Sequence, residues 1–276
     1  MNIVCFTGAG ATGIALVNQI HEVSGVALHV VEQPASFRRV VLRKYRSRGL
    51  SGVVDAALAR SSDRRRHIDY EATYDQWFGE TWRTESPVRR LVVPSINHPE
   101  VVEALQRLGD VVLVVEASSI VRERVLETCD RTLNIHWGLS PYYRGTRCTE
   151  WALLHWDVNN IGATVHELSM VIDGGAIVGQ RRATIVPEDS AFSINVQLTA
   201  LGIQVVVEAV QLLLSGREYA RVAQDLSEGY ATYSRHWSAH LSRHVRRLER
   251  RGLAELVAAP ARGALPIIEL GAAQVP

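Results

Sequence analysis

The run NIVCFTGAGATGIALVNQI, Asn2 to Ile20, restricts the fold of this chain more than any other stretch. Apolar residues from Asn2 to Thr7 lead directly into a turn carrying Gly8, Gly10 and Gly13, and apolar residues at helical spacing follow from Ile14 to His21. A further apolar run, Val26 to Val31, comes at once and ends at Glu32. Strand, tight turn, helix and strand in that order build a parallel sheet, because the crossover helix returns the chain to the same end of the sheet. The alternation resumes with a strand at Leu91 to Val93, a helix at Pro99 to Leu108 and a strand at Val111 to Val115. A helix at Val121 to Leu126 and a strand at Thr132 to His136 complete it. The segment VVLVV is continuously apolar rather than alternating, as a strand covered on both faces must be. The expected fold is α/β with a Rossmann-like, mostly parallel sheet.

Two regions interrupt or extend that pattern. Between residues 34 and 87 the text becomes arginine-rich at helical spacing and then aromatic, with Tyr70, Tyr74, Trp77, Phe78 and Trp82, and is expected to be a helical and irregular insert. After His136 come a loop, a helix near Thr149 to Trp156 and a hairpin from Gly162 to Val186 that turns at Asp173-Gly174-Gly175. A long helix from Asp189 to Leu214, capped by Asp189 or Ser190, closes a catalytic unit spanning residues 1–215. Residues 216–276 are expected to be a short helical, arginine-rich arm in which Trp237, Leu241, Val245 and Leu248 form one apolar stripe. The arm fits docking onto the catalytic unit with its arginines in solvent, binding an anion, or pairing two copies as a homodimer. The Ala/Gly/Pro-rich end is expected to be partly disordered.

Composition excludes several classes. The formal net charge of +1 gives no global steering toward nucleic acid or an anionic membrane, so neither partner is expected. Cys5, Cys129 and Cys148 have no paired or metal-ligand spacing, which implies a reducing, cytoplasmic setting and no metal site. The start lacks the pattern of a secretory leader. The most apolar long segment, Val196 to Leu214, carries Gln204, Glu208 and Gln211 and is read as a buried or amphipathic helix.

Two motifs carry chemistry. The glycines of GAGATG have dinucleotide-loop spacing and Glu32 stands at the end of the next strand, so an NAD(P) site, a phosphate site for a smaller substrate and a bare structural turn all remain open. The second is LNIHWGLSPYYRG, Leu133 to Gly145. Residues two apart on a strand share a face, so Asn134 and His136 project together at a strand's carboxyl end, where open α/β sheets bind ligands. Gly138, Pro141 and Gly145 shape the following loop, and Arg144 gives it a cation. Alone, such a pair is more often structural.

Taken with GATVH and IDGGAIV downstream, this stretch resembles the formyltransferase superfamily, whose members include glycinamide ribonucleotide, methionyl-tRNA and sugar-nucleotide formyltransferases. The likeness is strongest across Val111 to Leu214. The resemblance implies the formyltransferase fold, 10-formyltetrahydrofolate as donor and a small-molecule amine as acceptor. It implies a catalytic set of Asn134, His136 and Asp173, with Ser118, Ser119, Ile120, Val121, Val171 and Ile172 lining the donor site. Gly8, Gly10 and Arg144 would hold a phosphate or the acceptor end. The SPYYRG loop is most similar to the amino-sugar branch, so an amino-sugar nucleotide is the expected acceptor. The carboxyl-terminal region does not resemble the β-barrel domain of the tRNA branch. Glu116 stands where family members often have glycine.

The residue types suit formyl transfer in their own right. An asparagine amide can donate to a developing oxyanion, a histidine can move protons near neutral pH, and an aspartate can orient that histidine and carry off the amine's proton. Remaining readings are an acyl transferase or hydrolase with another donor, an NAD(P)-dependent oxidoreductase, and a non-catalytic relative. His98, His155 and His166 are read as structural, and Trp77 and Trp82 as packing residues or, less simply, as a stacking platform for a sugar or base.

Overall fold

Alternate residues of the central strands enter two different cores, and this defines the layers. In the computed structural model, Ile3 and Cys5 of β1 (Asn2–Gly8) pack with α1 (Ala11–Ser24) on one face, while Val4 and Phe6 pack on the other. The same division runs through β4 (Val111–Glu116), where Val112 and Val114 face one way and Val111, Leu113 and Val115 the other. The structure describes residues 1–34, 69–117, 119–259 and 263–271, with individual residues between 36 and 54. The arginine-rich part of the expected insert therefore lies largely outside the described residues, and so does Ser118.

The main sheet has the order β3-β2-β1-β4-β5-β7-β8. Its parallel part comprises β2 (Leu28–Glu32), β3 (Arg90–Val93), β1, β4 and β5 (Arg131–His136). β7 (Gly162–His166) and β8 (Ile177–Arg182) add an antiparallel pair. The order reverses between β1 and β4, which places the topological switch point beside Gly8 and Glu116. The fold is the expected α/β type with a mostly parallel sheet.

One face is covered by α2 (Tyr70–Phe78) and by α6 (Ala191–Leu214) together with α1, and the other by α3 (Pro99–Leu108) and α4 (Glu123–Leu126). The helix α6 starts at Ser190, whose hydroxyl accepts from the Ser193 amide while Ser193 returns a bond to the Ser190 amide. By length and hydropathy it could cross a membrane, yet 61% of its most apolar window is buried inside the protein. Gly202 permits that packing, since a Cβ there would run into the side chain of Ile135 on β5.

The carboxyl-terminal region differs from its expected form. A three-residue strand, β9 (Tyr230–Thr232), pairs in parallel with β6 (Tyr143–Gly145) in the loop after β5. The helical part of the arm is two helices, α7 (Ala239–Arg251) and α8 (Ala254–Ala258), separated at Gly252, whose φ of +76° ends the first. The stripe Trp237, Leu241, Val245 and Leu248 packs with Leu153 of α5 (Cys148–Leu154) and Leu198 of α6. Glu249 reaches back to accept from the Ala191 amide at the start of α6. The tail, expected to be partly disordered, is docked at residues 263–271: the Ile268 amide and carbonyl bond to Gln180 of β8, and the Ala220 amide donates to the Gly271 carbonyl.

Candidate functional site

The carboxyl ends of β1, β4 and β5 open into one cavity of about 720 Å³. Asn134 and His136 project into it from β5, as strand alternation requires, and both are buried. Antiparallel pairing sets His166, the last residue of β7, opposite Asn134. Asp173 enters from the ten-residue segment joining β7 and β8, a wider turn than the sequence implied, and sits there at a φ of +48°.

These four side chains form a connected set. The His136 ring places Nε2 at 2.9 Å from the Tyr143 carbonyl and Nδ1 at 3.4 Å from Asp173 Oδ2. Because the carbonyl can only accept, Nε2 carries a hydrogen, and Nδ1 is the nitrogen that faces the carboxylate. His166 is held likewise, with Nδ1 donating to the Glu167 carbonyl at 2.8 Å. Its Nε2 lies 3.1 Å from Asn134 Nδ2 and 3.6 Å from Asp173 Oδ1. With Nδ1 donating to that carbonyl, Nε2 is the ring nitrogen shared between Asn134 and Asp173, and at least one Asn134 amide hydrogen stays available to a ligand. Asp173 Oδ2 also accepts from the Gly145 amide at 2.7 Å. Burial works to raise the Asp173 carboxyl, but the charge of His136, the bond and charge of His166 and the Gly145 amide outweigh it and hold the group well below the usual carboxylate range.

The loop after β5 is built to present His136. Gly138 is required there, since a Cβ would come within 2.6 Å of His136 Nε2 and 2.5 Å of the Tyr143 carbonyl, the two atoms that bond to each other. Thr164 of β7 anchors the loop by donating to the Gly138 carbonyl and accepting from the Ser140 amide, and Gln180 donates to the Ser140 carbonyl. Gly145 has a φ of +93° and would overlap the Thr232 backbone with any side chain, so the β6–β9 pairing and the amide aimed at Asp173 both depend on it. Cys148 lies 3.7 Å from His136 Nε2, but burial and then the Asp173 charge push its thiol well above the ordinary range, so it is a neutral spacer.

Of the residues singled out from sequence, Gly8, Gly10, Asn134, His136, Asp173, Ser119, Ile120, Val121, Val171 and Ile172 all line this cavity. Ile120, Val171 and Ile172, with Met170, expose apolar surface at its rim, as a site for a flat aromatic ligand would. Arg144 is not at the cavity. Its guanidinium turns inward and donates to the Pro141 and Leu226 carbonyls, because the loop's backbone needs those donors. The cation that does line the cavity is Arg147, paired with Glu150 at 2.7 Å. Glu32 is likewise elsewhere, accepting from the Ile96 amide beside β3. Trp77 and Trp82 pack onto the core, with Trp82 donating to Asp75, and neither lines the cavity.

Two contributions were not read from the sequence. His166, read from sequence as structural, stands beside Asn134 and Asp173; its place at the end of β7, two residues from Thr164 on the same face, was the available signal. Thr232, Tyr233 and Ser234 bring the carboxyl-terminal region to the cavity wall, through a strand too short to show periodicity. Glu116, the residue that the sequence marked as standing where glycine is common, is half-buried at the end of β4 and lines the cavity, and burial pushes its carboxyl up to about 7 against the weaker pull of the Thr12 hydroxyl.

A family model described as formyl transferase matches residues 1–210 of the chain. The chain is 30% identical over 141 residues to methionyl-tRNA formyltransferase from Nitrosospira multiformis, covering 50% of this chain and 45% of that one. It is 29% identical over 138 residues to the enzyme of the same name from Geobacter sulfurreducens, covering 49% and 43%. The match thus spans less than half the length of these relatives. Among solved structures, the fold is similar to an N-formyltransferase from Helicobacter canadensis in complex with folinic acid and dTDP-3-aminofucose (TM-score 0.56, 14% identity, 86% of this chain and 73% of that one). It is similar also to glycinamide ribonucleotide transformylase 1 from Symbiobacterium toebii (TM-score 0.52, 20% identity, 82% and 95%).

Proposed function

The chain belongs to the formyl transferase family, and on that premise we propose that it moves a formyl group from a folate donor, 10-formyltetrahydrofolate, to the primary amine of a small acceptor. The observation that carries this reading is the meeting of Asn134, His136 and Asp173 at one cavity, with His136 Nδ1 3.4 Å from the Asp173 carboxylate.

The donor supplies an activated formyl group, and the chain's residues act around its carbonyl. As the amine adds, negative charge gathers on the formyl oxygen, where the free hydrogen of Asn134 Nδ2 can donate. A preorganised donor of this kind is worth about 3 kcal/mol of barrier. His136 Nδ1 is the ring position able to hand a proton to the departing nitrogen, since Nε2 is committed to the Tyr143 carbonyl. Asp173, kept ionised by its neighbours, takes the proton lost by the amine, directly or through water, and keeps the imidazole oriented. The rim formed by Ser119 to Val121 and by Val171 and Ile172 suits the apolar faces of a folate ring system.

For the acceptor, an amino-sugar nucleotide is favoured by the SPYYRG loop. The Helicobacter canadensis protein, similar in fold, is one crystallised with such a compound. The overlap with methionyl-tRNA formyltransferases carries the shared formyl chemistry to this chain and not the tRNA acceptor, because more than half of those relatives lies beyond it. The test is to supply 10-formyltetrahydrofolate with a panel of amino-sugar nucleotides and follow tetrahydrofolate release. Turnover with at least one of them is expected. Full activity in His136→Ala would overturn the assigned roles.

A further inference from the structure

The glycine loop has the form of a phosphate site, but a protein carboxyl already stands at it. Gly8 and Gly10 border open space, since a Cβ at either would meet no atom within 4 Å, whereas one at Gly13 would collide with Thr7. Gly13 therefore serves the packing of α1 on β1, and the other two leave room for a ligand. The first turn of α1 has no side-chain cap and no acidic residue of its own. The nearest anion comes from the neighbouring strand: Thr7 and Glu116 are register partners across β1 and β4, and the Thr12 hydroxyl in that first turn donates to Glu116 Oε1 at 3.4 Å. Around this lobe, lined by Gly8, Ala9, Gly10, Thr12, Glu116 and Ala117, the carboxyl is the sole charged side chain among the described residues. The cavity's arginine, Arg147, stands beyond the catalytic residues on the segment leading into α5, already paired with Glu150.

We infer that Glu116 makes the glycine-loop end of the cavity a receptor for hydrogen-bond donors, so that it takes a hydroxyl- or amine-bearing part of the acceptor and rejects phosphate. Ionised, above about pH 7, a carboxyl at this position places an anion near the helix N-terminus, and a second anion beside it would be repelled in a partly buried, poorly screened lobe. Hydroxyl and ammonium groups have the opposite polarity and can donate to the carboxylate oxygens. Any phosphate carried by the acceptor is then directed toward the Arg147 side. This rests on the proposed formyl transfer only in naming the ligand an acceptor.

The test uses binding and needs neither donor nor turnover, so its failure is separable from failure of the tetrahydrofolate-release assay. Inorganic phosphate and glucosamine, an unphosphorylated amino sugar, would be titrated calorimetrically into the full chain and into Glu116→Gly. The two probes should respond in opposite directions: phosphate affinity rises at least about tenfold in the variant, while glucosamine affinity falls at least about fivefold. Unfolding of the variant would weaken both, so the crossed response is specific. Equal phosphate affinity in the two proteins, or equal glucosamine affinity, would overturn the inference.

Discussion

Asp173 and Glu116 face the same cavity and are held in opposite states. Asp173 receives the Gly145 amide at 2.7 Å and has His136 and His166 at 3.4 and 3.6 Å, and it stays well below the usual carboxylate range. Glu116 has one hydroxyl at 3.4 Å, and burial pushes it up to about 7. Burial opposes ionisation in both. What differs is the number of donors and cations that answer it, and that number depends on where the carboxyl sits. Asp173 stands where the loop after β5 and the β7–β8 connection converge, each bringing partners. Glu116 stands at the end of a parallel strand whose neighbours present mostly glycine backbone and empty space. The first arrangement suits a permanent anion beside a histidine, and the second suits a carboxyl that waits for a ligand.

The comparison breaks most sharply at His136. Its replacement by Ala removes the group between Asp173 and the reacting centre and should lower formyl-transfer kcat by about 10²–10⁴-fold, read from tetrahydrofolate release. Gly138→Ala forces the ring off the Tyr143 carbonyl without removing it, and a loss of about 10–100-fold in kcat is expected with a smaller change in KM. An unchanged kcat would show that the Nε2 anchor is dispensable.

The two carboxyls should then respond to neutralisation with opposite signs. Asp173 has a depressed folded-state pKa, so its ionisation supports the fold above the unfolded pKa, and that support is lost as pH falls through the folded value. Asp173→Asn should cost about 1–3 kcal/mol near pH 7, the gap to wild type closing in acid, measured by urea unfolding across pH. Glu116 has a raised folded-state pKa. Its ionisation therefore costs stability, from near zero below the unfolded value to the full cost above about 7. Glu116→Gln should gain about 1–2 kcal/mol near pH 8 and nothing near pH 4. A gain that is equal at both pH values would mean the carboxyl is not strained by burial.

The smallest effect separates the two arginines of the loop. Arg147→Ala should cost no more than about 1 kcal/mol, because Arg147 itself is half exposed although its partners Glu150 and Trp237 are covered, and should act on acceptor KM. Arg144→Ala leaves the Pro141 and Leu226 carbonyls without donors and should cost about 1–3 kcal/mol, detected by thermal unfolding. Reversal of that order would return the cavity role to Arg144.

Much of the parallel half was legible in the sequence. Val111 to Val115 announces a strand covered on both faces, and the two-residue spacing of Asn134 and His136 puts them on one side of β5. These are local properties, set by backbone periodicity. The other half of the site was not legible in that way. His166 meets Asn134 through the register of an antiparallel pair 32 residues apart, and Thr232 reaches Gly145 across 87 residues through a strand of three. No local pattern encodes either distance. The arginines of the loop show the same limit, since sequence marks both Arg144 and Arg147 as cations and only packing turns one inward to carbonyls and the other toward the cavity.

By itself, the sequence determined the alternation of strand and helix, the tight glycine turn and the family, because those follow from periodicity, steric permission and the spacing of a few polar residues. The tertiary structure alone decided which carboxyl is answered by partners and which is not. Ionisation in a buried site depends on groups gathered from distant parts of the chain, and the energy of each charge is set by neighbours that sequence order does not record.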